Sequence, residues 1–381
     1  MLRFARMLVD GMGAEGWDVE LCSPRAVFGG RGGRPAYTGL GKWLAYVDKY
    51  VLFPRALRRR VRMLGPGAVV HIADHSNAPY VPAAASAGHR VLITCHDLGA
   101  VRGALGEATD CPASRTGRLL QRWIQDSLGK ADAIACVSSA TREDVDRLVR
   151  RPDGSPPDTR LLFLGLHRTC AYLPPAEAAA RLRDLPGVGS GAPFVLHVGS
   201  SIRRKNREGV LRVFARTRTG WPEGWLVFAG EPLTAEQHAL AASLGLGGRV
   251  VEVARPTDGL LDALYARAAA LLFPSTFEGF GWPVLEAQAF GCPVLCSDAG
   301  SLLEVAGDGA FVRPAADEGG FAAELLRVVR EPAARGGWVR AGLENAARFS
   351  TSAMLAQYAA LYELLAATPE PTHAAAAPAV R

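Results

Sequence analysis

The strongest constraint on the fold of this chain is a series of short, nearly continuous apolar runs separated by longer segments with helical periodicity. Such runs are typical of parallel strands buried on both faces of a sheet, and the segments between them indicate helical crossovers. The pattern predicts an α/β protein with two doubly wound, Rossmann-like sheets. The predicted strands are Val19–Ser23, Ala68–Ala73, Val91–Cys95, Ala133–Ser138 and Leu161–Gly165 in the first half, and Phe194–Gly199, Trp225–Gly230, Val250–Ala254, Ala270–Ser275 and Pro293–Ser297 in the second.

The division into domains is indicated by proline and glycine clusters at both ends of Tyr172–Pro193. The predicted arrangement is an N-terminal domain over residues 1–171, a linker over 172–192 and a second domain over 193–350. A C-terminal helix over 351–367 is expected to cross back to the first domain. The low-complexity residues 368–381 are expected to be disordered.

The most informative stretch of the second half is LLFPSTFEGFGWPVLEAQAFGCPV. It predicts a strand that ends near Ser275, a glycine-rich loop and a helix that starts near Trp282 and stops before Pro293. Loop amides and the positive end of such a helix favour an anion beyond the carboxyl edge of the sheet.

Two carboxylates, Glu278 and Glu286, lie in and just after this loop, where an anion is also expected. They are compatible with one ligand if it carries hydroxyls as well as phosphates, because a carboxylate accepts two hydrogen bonds from a vicinal diol. Gly279 and Gly281 let the backbone approach such a ligand closely. The alternative is an ordinary strand–helix corner with two surface glutamates.

A second cluster follows the strand Phe194–Gly199. Gly199 and Ser200 end the strand, and Arg204 and Lys205 come within one loop. A guanidinium and an ammonium beside glycine-rich backbone suit a diphosphate whose charge grows as it leaves. The alternative is a solvated basic turn.

Polar residues also follow two strands of the first half. His96 and Asp97 follow Val91–Cys95, while His75, Ser76 and Asn77 follow Ala68–Ala73, and this is the edge at which an α/β protein presents its site. A lone histidine is more often structural than catalytic, and Asp97 also suits a helix cap.

The stretch EGFGWPVLEA, with Glu278 and Glu286 separated by seven residues, resembles the EX7E element of retaining glycosyltransferases of family 4. The segment VGSSIRRKN resembles the same family's basic loop. The resemblance implies a GT-B fold, in which two Rossmann-like domains face each other across a cleft, with the acceptor on the N-terminal side and the nucleotide sugar on the C-terminal side.

By this resemblance Glu286 holds the nucleotide ribose, Glu278 faces the donor sugar, and Arg204 and Lys205 neutralise the diphosphate. Gly199 and Ser200 belong to the donor-binding set, together with the loop amides of Gly279, Phe280 and Gly281. His96, Glu278 and Lys205 are the residues expected to take part in the reaction. His75, Ser76, Asn77 and Asp97 are acceptor-side candidates.

The implied reaction transfers a hexose, with retention of configuration, from a UDP- or GDP-linked donor to a saccharide or glycolipid, in the synthesis of cell-surface polysaccharide or glycolipid. No metal or other cofactor is expected. A cytoplasmic protein is expected, since no run of the sequence suits a membrane span or a signal peptide and the seven cysteines are scattered.

Two other functions compete with this reading. A nicotinamide-dependent oxidoreductase would share the Rossmann fold, but the glycine-rich string Leu244–Gly248 follows a helical pattern rather than a strand. A non-catalytic sugar-binding or scaffold protein derived from such an enzyme is the other alternative.

The net charge of +6 favours anionic partners without identifying one. Residues 41–62 combine seven basic side chains with interleaved aromatic ones, which predicts either a peripheral contact with an anionic membrane surface or a solvated helix with a buried aromatic face. The single RGG-like segment Gly29–Pro35 lacks interleaved aromatics, so no nucleic-acid partner is expected.

The N-terminus departs from the family's pattern, because the chain opens on a predicted helix, Leu2–Gly13, where relatives begin with a strand. The first strand of the N-terminal sheet is therefore expected to be missing, with Met1 an internal methionine of a longer chain.

Overall fold

The structure, a computed structural model, describes residues 2–28, 39–166, 170 and 173–367. The described residues form two compact units: one combines those within 1–137, 142–162 and 354–381, and the other combines those within 138–141 and 163–353. The RGG-like segment Gly29–Pro35 and the predicted disordered tail lie outside the described residues.

Four parallel strands in the order β1-β2-β3-β4 form the described sheet of the first unit. They are β1 (Val69–Ile72), β2 (Arg90–Cys95), β3 (Ala133–Cys136) and β4 (Thr159–Leu161). The α-helices of this half are α1 (Leu2–Ala14), α2 (Gly39–Val47), α3 (Phe53–Val61), α4 (Val81–Ala84), α5 (Gly99–Ala104), α6 (Arg115–Leu128) and α7 (Ser139–Leu148).

Six parallel strands in the order β10-β9-β8-β5-β6-β7 form the sheet of the second unit. They are β5 (Phe194–Gly199), β6 (Trp225–Gly230), β7 (Val250–Ala254), β8 (Ala270–Phe273), β9 (Val294–Ser297) and β10 (Ala310–Arg313). The α-helices in the second half of the chain are α8 (Pro175–Leu182), α9 (Arg207–Thr217), α10 (Ala235–Ser243), α11 (Asp258–Arg267), α12 (Trp282–Ala289), α13 (Leu302–Ala306), α14 (Glu318–Arg330), α15 (Pro332–Ala347) and α16 (Thr351–Ala367).

Helices cover both faces of the second sheet. Leu196 and its neighbours pack against α8, α11 and α12, whereas Val195, one residue earlier and on the opposite face, packs against α9 and α14. Burial on both faces explains why these strands are nearly continuous apolar runs, and the α/β fold predicted from them is confirmed.

The last helix, α16, belongs to the first unit from Met354 onward. The hydroxyl of the buried Tyr358 lies 3.0 Å from Oγ1 of Thr94, and that of Tyr362 lies 2.7 Å from Nδ1 of His71. His71 Nε2 in turn lies 2.8 Å from Thr94 Oγ1. A buried network of hydrogen bonds therefore joins α16 to β1 and β2.

Three segments differ from the sequence predictions. The predicted strand Val19–Ser23 is wrong: Val19 and Leu21 are exposed, and no described strand pairs with this segment. Leu161–Gly165 leaves the sheet after Leu161, because the chain enters the second unit at Phe163. The predicted linker includes α8, whose Ala178 and Leu182 lie in the core of the second unit.

The remaining predicted strands are present within two residues of their expected bounds, and the helix expected at the N-terminus is α1. Within the described ranges, no helix combines the length and the apolar character needed to cross a bilayer.

Candidate functional site

The candidate donor site lies at the carboxyl edge of the second sheet, where the strand order reverses. β5 pairs with β6 on one side and with β8 on the other, so the loops that follow β5 and β8 leave the sheet side by side. Ligands of open α/β sheets bind in this crevice. Both sequence motifs of the second half therefore meet at one point.

The loop after β5 is a short 3-10 turn, Arg203–Lys205, that ends at Asn206 in the left-handed conformation with φ of 51°. The Asn206 side chain accepts the N–H of Gly209, which caps α9, and donates to the carbonyl oxygen of Pro274 at 3.0 Å. One asparagine therefore fixes the basic loop to the end of β8.

Glu278 accepts hydrogen bonds from two of the three basic side chains of the loop, Arg204 and Lys205. Its Oε2 lies 2.7 Å from Nη1 of Arg204 and its Oε1 lies 2.6 Å from Nζ of Lys205. Lys205 and Glu278 are buried, and the Lys205 ammonium also lies 4.6 Å from the centre of the Phe273 ring. Burial lowers the pKa of Lys205, and the nearby charge of Glu278 opposes this shift.

Two glycines give the EGFG loop its path. Gly281 has φ of 106° and ends the loop directly before α12, so the positive end of that helix adjoins the loop. Gly300 has φ of 64°, and a Cβ there would collide with the backbone of Glu278. The hydroxyl of the buried Ser301 donates to the carbonyl oxygen of Phe280 at 2.6 Å. Gly300 and Ser301 therefore fix the backbone of the EGFG loop through close contacts with Glu278 and Phe280.

Glu286 lies one turn inside α12 and is buried. The hydroxyl of Tyr265, a fully buried residue of α11, donates to its Oε2 at 2.7 Å. The Tyr265 ring stacks on Phe290, with the ring centres 6.0 Å apart. The Glu286 carboxylate is thus a buried hydrogen-bond acceptor for Tyr265, whose ring is in turn positioned by Phe290, and not a surface group.

The start of this loop system is anchored by Arg207, whose guanidinium is buried. Its Nη2 donates to the carbonyl oxygen of Gly199 at 2.6 Å, and its Nη1 donates to Oγ of Ser201 at 2.7 Å. The Ser201 N–H donates to Glu231 at 2.8 Å. Gly199 and Ser200 therefore belong to a loop with fixed backbone.

Sequence reasoning missed Tyr265, Ser301, Arg207 and the bridging role of Asn206. Arg207 and Asn206 follow the basic motif directly, so their position in the sequence was a weak indication of a role in the site. No sequence pattern pointed to Tyr265 or Ser301, because they reach the site from other helices and loops.

In the first unit, the predicted acceptor-side residues lie at the carboxyl ends of the neighbouring strands β1 and β2. His75, Ser76 and Asn77 form the start of a 3-10 helix, His75–Tyr80, where Asp74 accepts the Ser76 N–H at 2.7 Å. Asp97 accepts the Gly99 N–H at 2.9 Å in a turn just before α5, but the N-cap residue of that helix is Leu98, so Asp97 is not its cap.

His96 is buried beside Phe4, with the ring centres 5.2 Å apart. Its Nε2 donates to the carbonyl oxygen of Ala73 at 3.1 Å. Burial lowers the pKa of His96 to about 4, although the bond to Ala73 and the charge of Asp74 oppose the shift. The imidazole is therefore neutral at physiological pH.

No group of three or more histidine, cysteine, aspartate or glutamate side chains within the described ranges is arranged to hold a metal ion. The chemistry offered by the second unit is that of two cations, two carboxylates and a helix terminus.

The chain is similar to known glycosyltransferases. The family model for Glycosyl transferases group 1 matches residues 181–345, and the model for Glycosyltransferase Family 4 matches residues 1–154. The chain is 29% identical over 263 residues to O-antigen chain mannosyltransferase B of Escherichia coli, with 65% of each chain covered. It is 31% identical over 275 residues to D-inositol 3-phosphate glycosyltransferase of Saccharomonospora viridis, with 69% of this chain and 62% of the relative covered. Each match spans less than two thirds of the relative's length.

Among solved structures, sucrose-phosphate synthase from Thermosynechococcus elongatus superposes with a TM-score of 0.73 at 24% identity, covering 95% of this chain and 92% of that one. Anabaena Alr3699/HepE in complex with UDP and glucose superposes with a TM-score of 0.68 at 16% identity, covering 87% and 84%. At these identities the likeness is one of fold. The two family models together account for both halves of the molecule, and the chain belongs to the group 1 glycosyltransferases with the GT-B fold.

Proposed function

We propose that this protein transfers a hexose from a UDP- or GDP-linked donor to a saccharide or glycolipid acceptor, with retention of configuration and without a metal ion or other cofactor. The observation that carries the proposal is the contact of Arg204 and Lys205 with Glu278 at the switch point of the second sheet, with Glu286 on the helix that follows the same loop. The names of the relatives, an O-antigen chain mannosyltransferase among them, favour synthesis of cell-surface polysaccharide or glycolipid. A cytoplasmic location at the inner face of a membrane is part of the same proposal.

In donor binding, the diphosphate takes the place of the Glu278 carboxylate beside Arg204 and Lys205. Glu278 then accepts hydrogen bonds from sugar hydroxyls instead. Glu286, oriented by Tyr265, accepts the pair of hydrogen bonds from the ribose diol. The loop amides and the start of α12 add favourable potential for the phosphates.

In the reaction, the bond between the anomeric carbon and the phosphate oxygen breaks, and its electron pair leaves with the nucleoside diphosphate. Arg204 and Lys205 stabilise the charge that develops there, the task a divalent ion performs in other transferases. The acceptor hydroxyl attacks from the same face, which retains configuration, and its proton passes to the departing phosphate oxygen. Because burial lowers the pKa of His96 to about 4, its neutral imidazole is a poor proton acceptor, and we assign it to hydrogen bonding with a sugar hydroxyl rather than to the role of a base.

The oxidoreductase alternative finds no support in the fold. Leu244–Gly248 follows α10 and precedes β7, whereas a dinucleotide-binding glycine loop follows a strand and opens a helix. A non-catalytic scaffold protein and a transferase would have the same fold, so only an assay of turnover distinguishes these two functions.

The test is a thermal-shift panel of UDP, GDP, ADP and their common sugars on the full chain, followed by a turnover assay with the stabilising donor. We expect one nucleoside diphosphate to raise the melting temperature selectively, and Glu286→Ala to lose that response. Glu344→Ala, at an exposed position of α15, is the matched control and should respond as the wild type does. A folded protein that responds to none of these nucleotides would refute the proposal, and selective binding without turnover would favour the scaffold.

A further inference from the structure

An exposed stripe runs along the helical arm made of α2, the π-helical turn Asp48–Leu52 and α3. Trp43, Val47, Val51 and Arg55 are spaced four residues apart, and all four side chains are exposed, Trp43 by 58%. Residues four apart drift around an α-helix, but a π turn takes more residues per turn and offsets that drift. The π turn therefore keeps three apolar side chains and a guanidinium in one stripe.

A second exposed stripe lies on α6. Leu119 and Trp123 are one turn apart and are 70% and 43% exposed. Three exposed arginines accompany them on the same helix: Arg115, Arg118 and Arg122. An exposed leucine alone is ordinary, but two large apolar side chains between arginines form an amphipathic interfacial pattern.

A row of aromatic rings joins the two stripes. Successive ring centres lie 5.9, 5.7 and 5.2 Å apart along Trp43, Tyr46, Tyr50 and Trp123. Beside this row is a groove of about 220 Å³, lined by apolar side chains of both stripes, by Pro79 and Pro82, and by Arg55 and Arg58. The stripes and the groove form one continuous surface, which we call the arm–α6 surface.

The charge of the arm–α6 surface is strongly positive. Arg60 pairs with Glu20, but Arg58, Arg59, Arg118 and Arg122 form no ion pair with any described residue. Half-exposed tryptophans between unpaired arginines suit the boundary between lipid headgroups and acyl chains, where the ring is buried and the guanidinium meets phosphate. We propose that the arm–α6 surface docks on an anionic lipid bilayer.

The docking surface adjoins the predicted acceptor residues within the first unit. The 3-10 helix that begins with His75, Ser76 and Asn77 continues to Pro79, which lines the groove, and to Tyr80, whose ring centre lies 4.9 Å from that of Phe53. A lipid-linked acceptor held at the bilayer would present its sugar next to these residues. This step rests on the proposed function, whereas docking itself does not.

The experiment is flotation of the full chain with vesicles of phosphatidylcholine alone or mixed with phosphatidylglycerol, over a range of salt concentrations. We expect binding to the mixed vesicles that weakens with salt and at most weak binding to the neutral ones. Arg118→Glu with Arg122→Glu should weaken binding at least about tenfold, and Trp43→Ala with Trp123→Ala several-fold. Arg340→Glu with Leu343→Ala, a matched pair exposed on α15, should leave it unchanged.

The thermal shift caused by UDP or GDP, whichever stabilises the wild type, is measured on the same variants and separates this inference from the proposed function. A wild type that ignores mixed vesicles but responds to that nucleotide overturns docking alone. Equal binding to neutral and mixed vesicles, or binding insensitive to the α6 reversals, also overturns it. Concentration-dependent self-association that the same reversals abolish would assign the surface to a second copy of the chain and refute the bilayer as its occupant.

Discussion

Glu278 and Lys205 form a buried ion pair, with Oε1 and Nζ 2.6 Å apart, and the other oxygen of the same carboxylate binds Arg204. One side chain thus neutralises both cations proposed to hold the donor diphosphate. A buried cation needs a partner in the ligand-free protein, and Glu278 supplies it until an anion arrives.

Replacing Glu278 with glutamine should separate these two roles. The ligand-free variant should be less stable by about 1–3 kcal/mol, because Lys205 and Arg204 lose their counter-charge. The nucleoside diphosphate of the donor, taken as UDP here and below and replaced by GDP if GDP is the one that binds, should restore more stability than it gives the wild type. Turnover should fall by about 10²-fold or more if Glu278 also binds the sugar. Thermal shift and initial rates measure the two effects.

Glu324→Gln removes another buried, arginine-paired carboxylate outside the site and should leave the UDP response unchanged. Equal UDP responses in both variants would contradict the account.

The pH dependence of donor affinity should report on Lys205. Because burial lowers its pKa, the folded protein releases this proton at a lower pH than the unfolded chain does. Between the pKa of Lys205 in the folded protein and its higher pKa in the unfolded chain, only the unfolded chain keeps this proton. The free energy of unfolding that this group contributes therefore rises with pH. UDP affinity changes in the opposite direction and should fall with rising pH, since the neutral amine no longer attracts phosphate. Lys205→Arg keeps its charge, so its affinity should stay nearly constant over the same range. Titration calorimetry checks this, and identical profiles for the two proteins would argue against Lys205 as a phosphate ligand.

Tyr265→Phe should weaken nucleotide binding without unfolding the protein. Losing a hydrogen bond to a carboxylate should lower the free energy of unfolding by about 1.5–3 kcal/mol, and UDP affinity should fall as well because the hydroxyl no longer orients Glu286 toward the ribose. Tyr358→Phe is the control, since Tyr358 is equally buried but its hydroxyl contacts Thr94 in the first unit. If both variants bind UDP as tightly as the wild type, the ribose role of Glu286 loses its support.

Stability should decline on acidification through His71. Burial lowers its pKa to about 3, so between that value and the ordinary value near 6.5 the unfolded chain binds a proton that the folded chain does not. Stability therefore falls as pH falls through this window, by about 2 kcal/mol near pH 5 for this one group. His71→Phe should be less stable at neutral pH, because two hydrogen bonds are lost, but should lose less stability near pH 5. Urea unfolding at the two pH values tests this, and an unchanged acid loss in the variant would exclude His71 as its source.

Five of the six strands of the second unit were predicted from its sequence, because most of them are buried nearly throughout and each motif lies in one continuous stretch. The edge strand β10, which is only partly buried, was not predicted. Arg204, Lys205, Glu278 and Glu286 could be assigned to one place because the carboxyl ends of adjacent parallel strands meet there.

Predictions that depended on a neighbouring element were poorer. Val19–Ser23 has the residue types of a strand but no described partner, and a strand is defined by its partner. The hydrogen bond from Tyr265 to Glu286 joins residues on two helices, and no local sequence pattern predicts such a contact.

The return of α16 to the first unit has a consequence for biosynthesis. Met354, Leu355 and Tyr358 complete a core that also contains His71 and Phe4, so the half of the protein made first lacks part of its interior until residues near 367 have emerged from the ribosome. The second unit, apart from residues 138–141, is one uninterrupted stretch and has all its strands by residue 313. The later-made half can therefore complete its core first, whereas the N-terminal half completes its core only after α16 has been made.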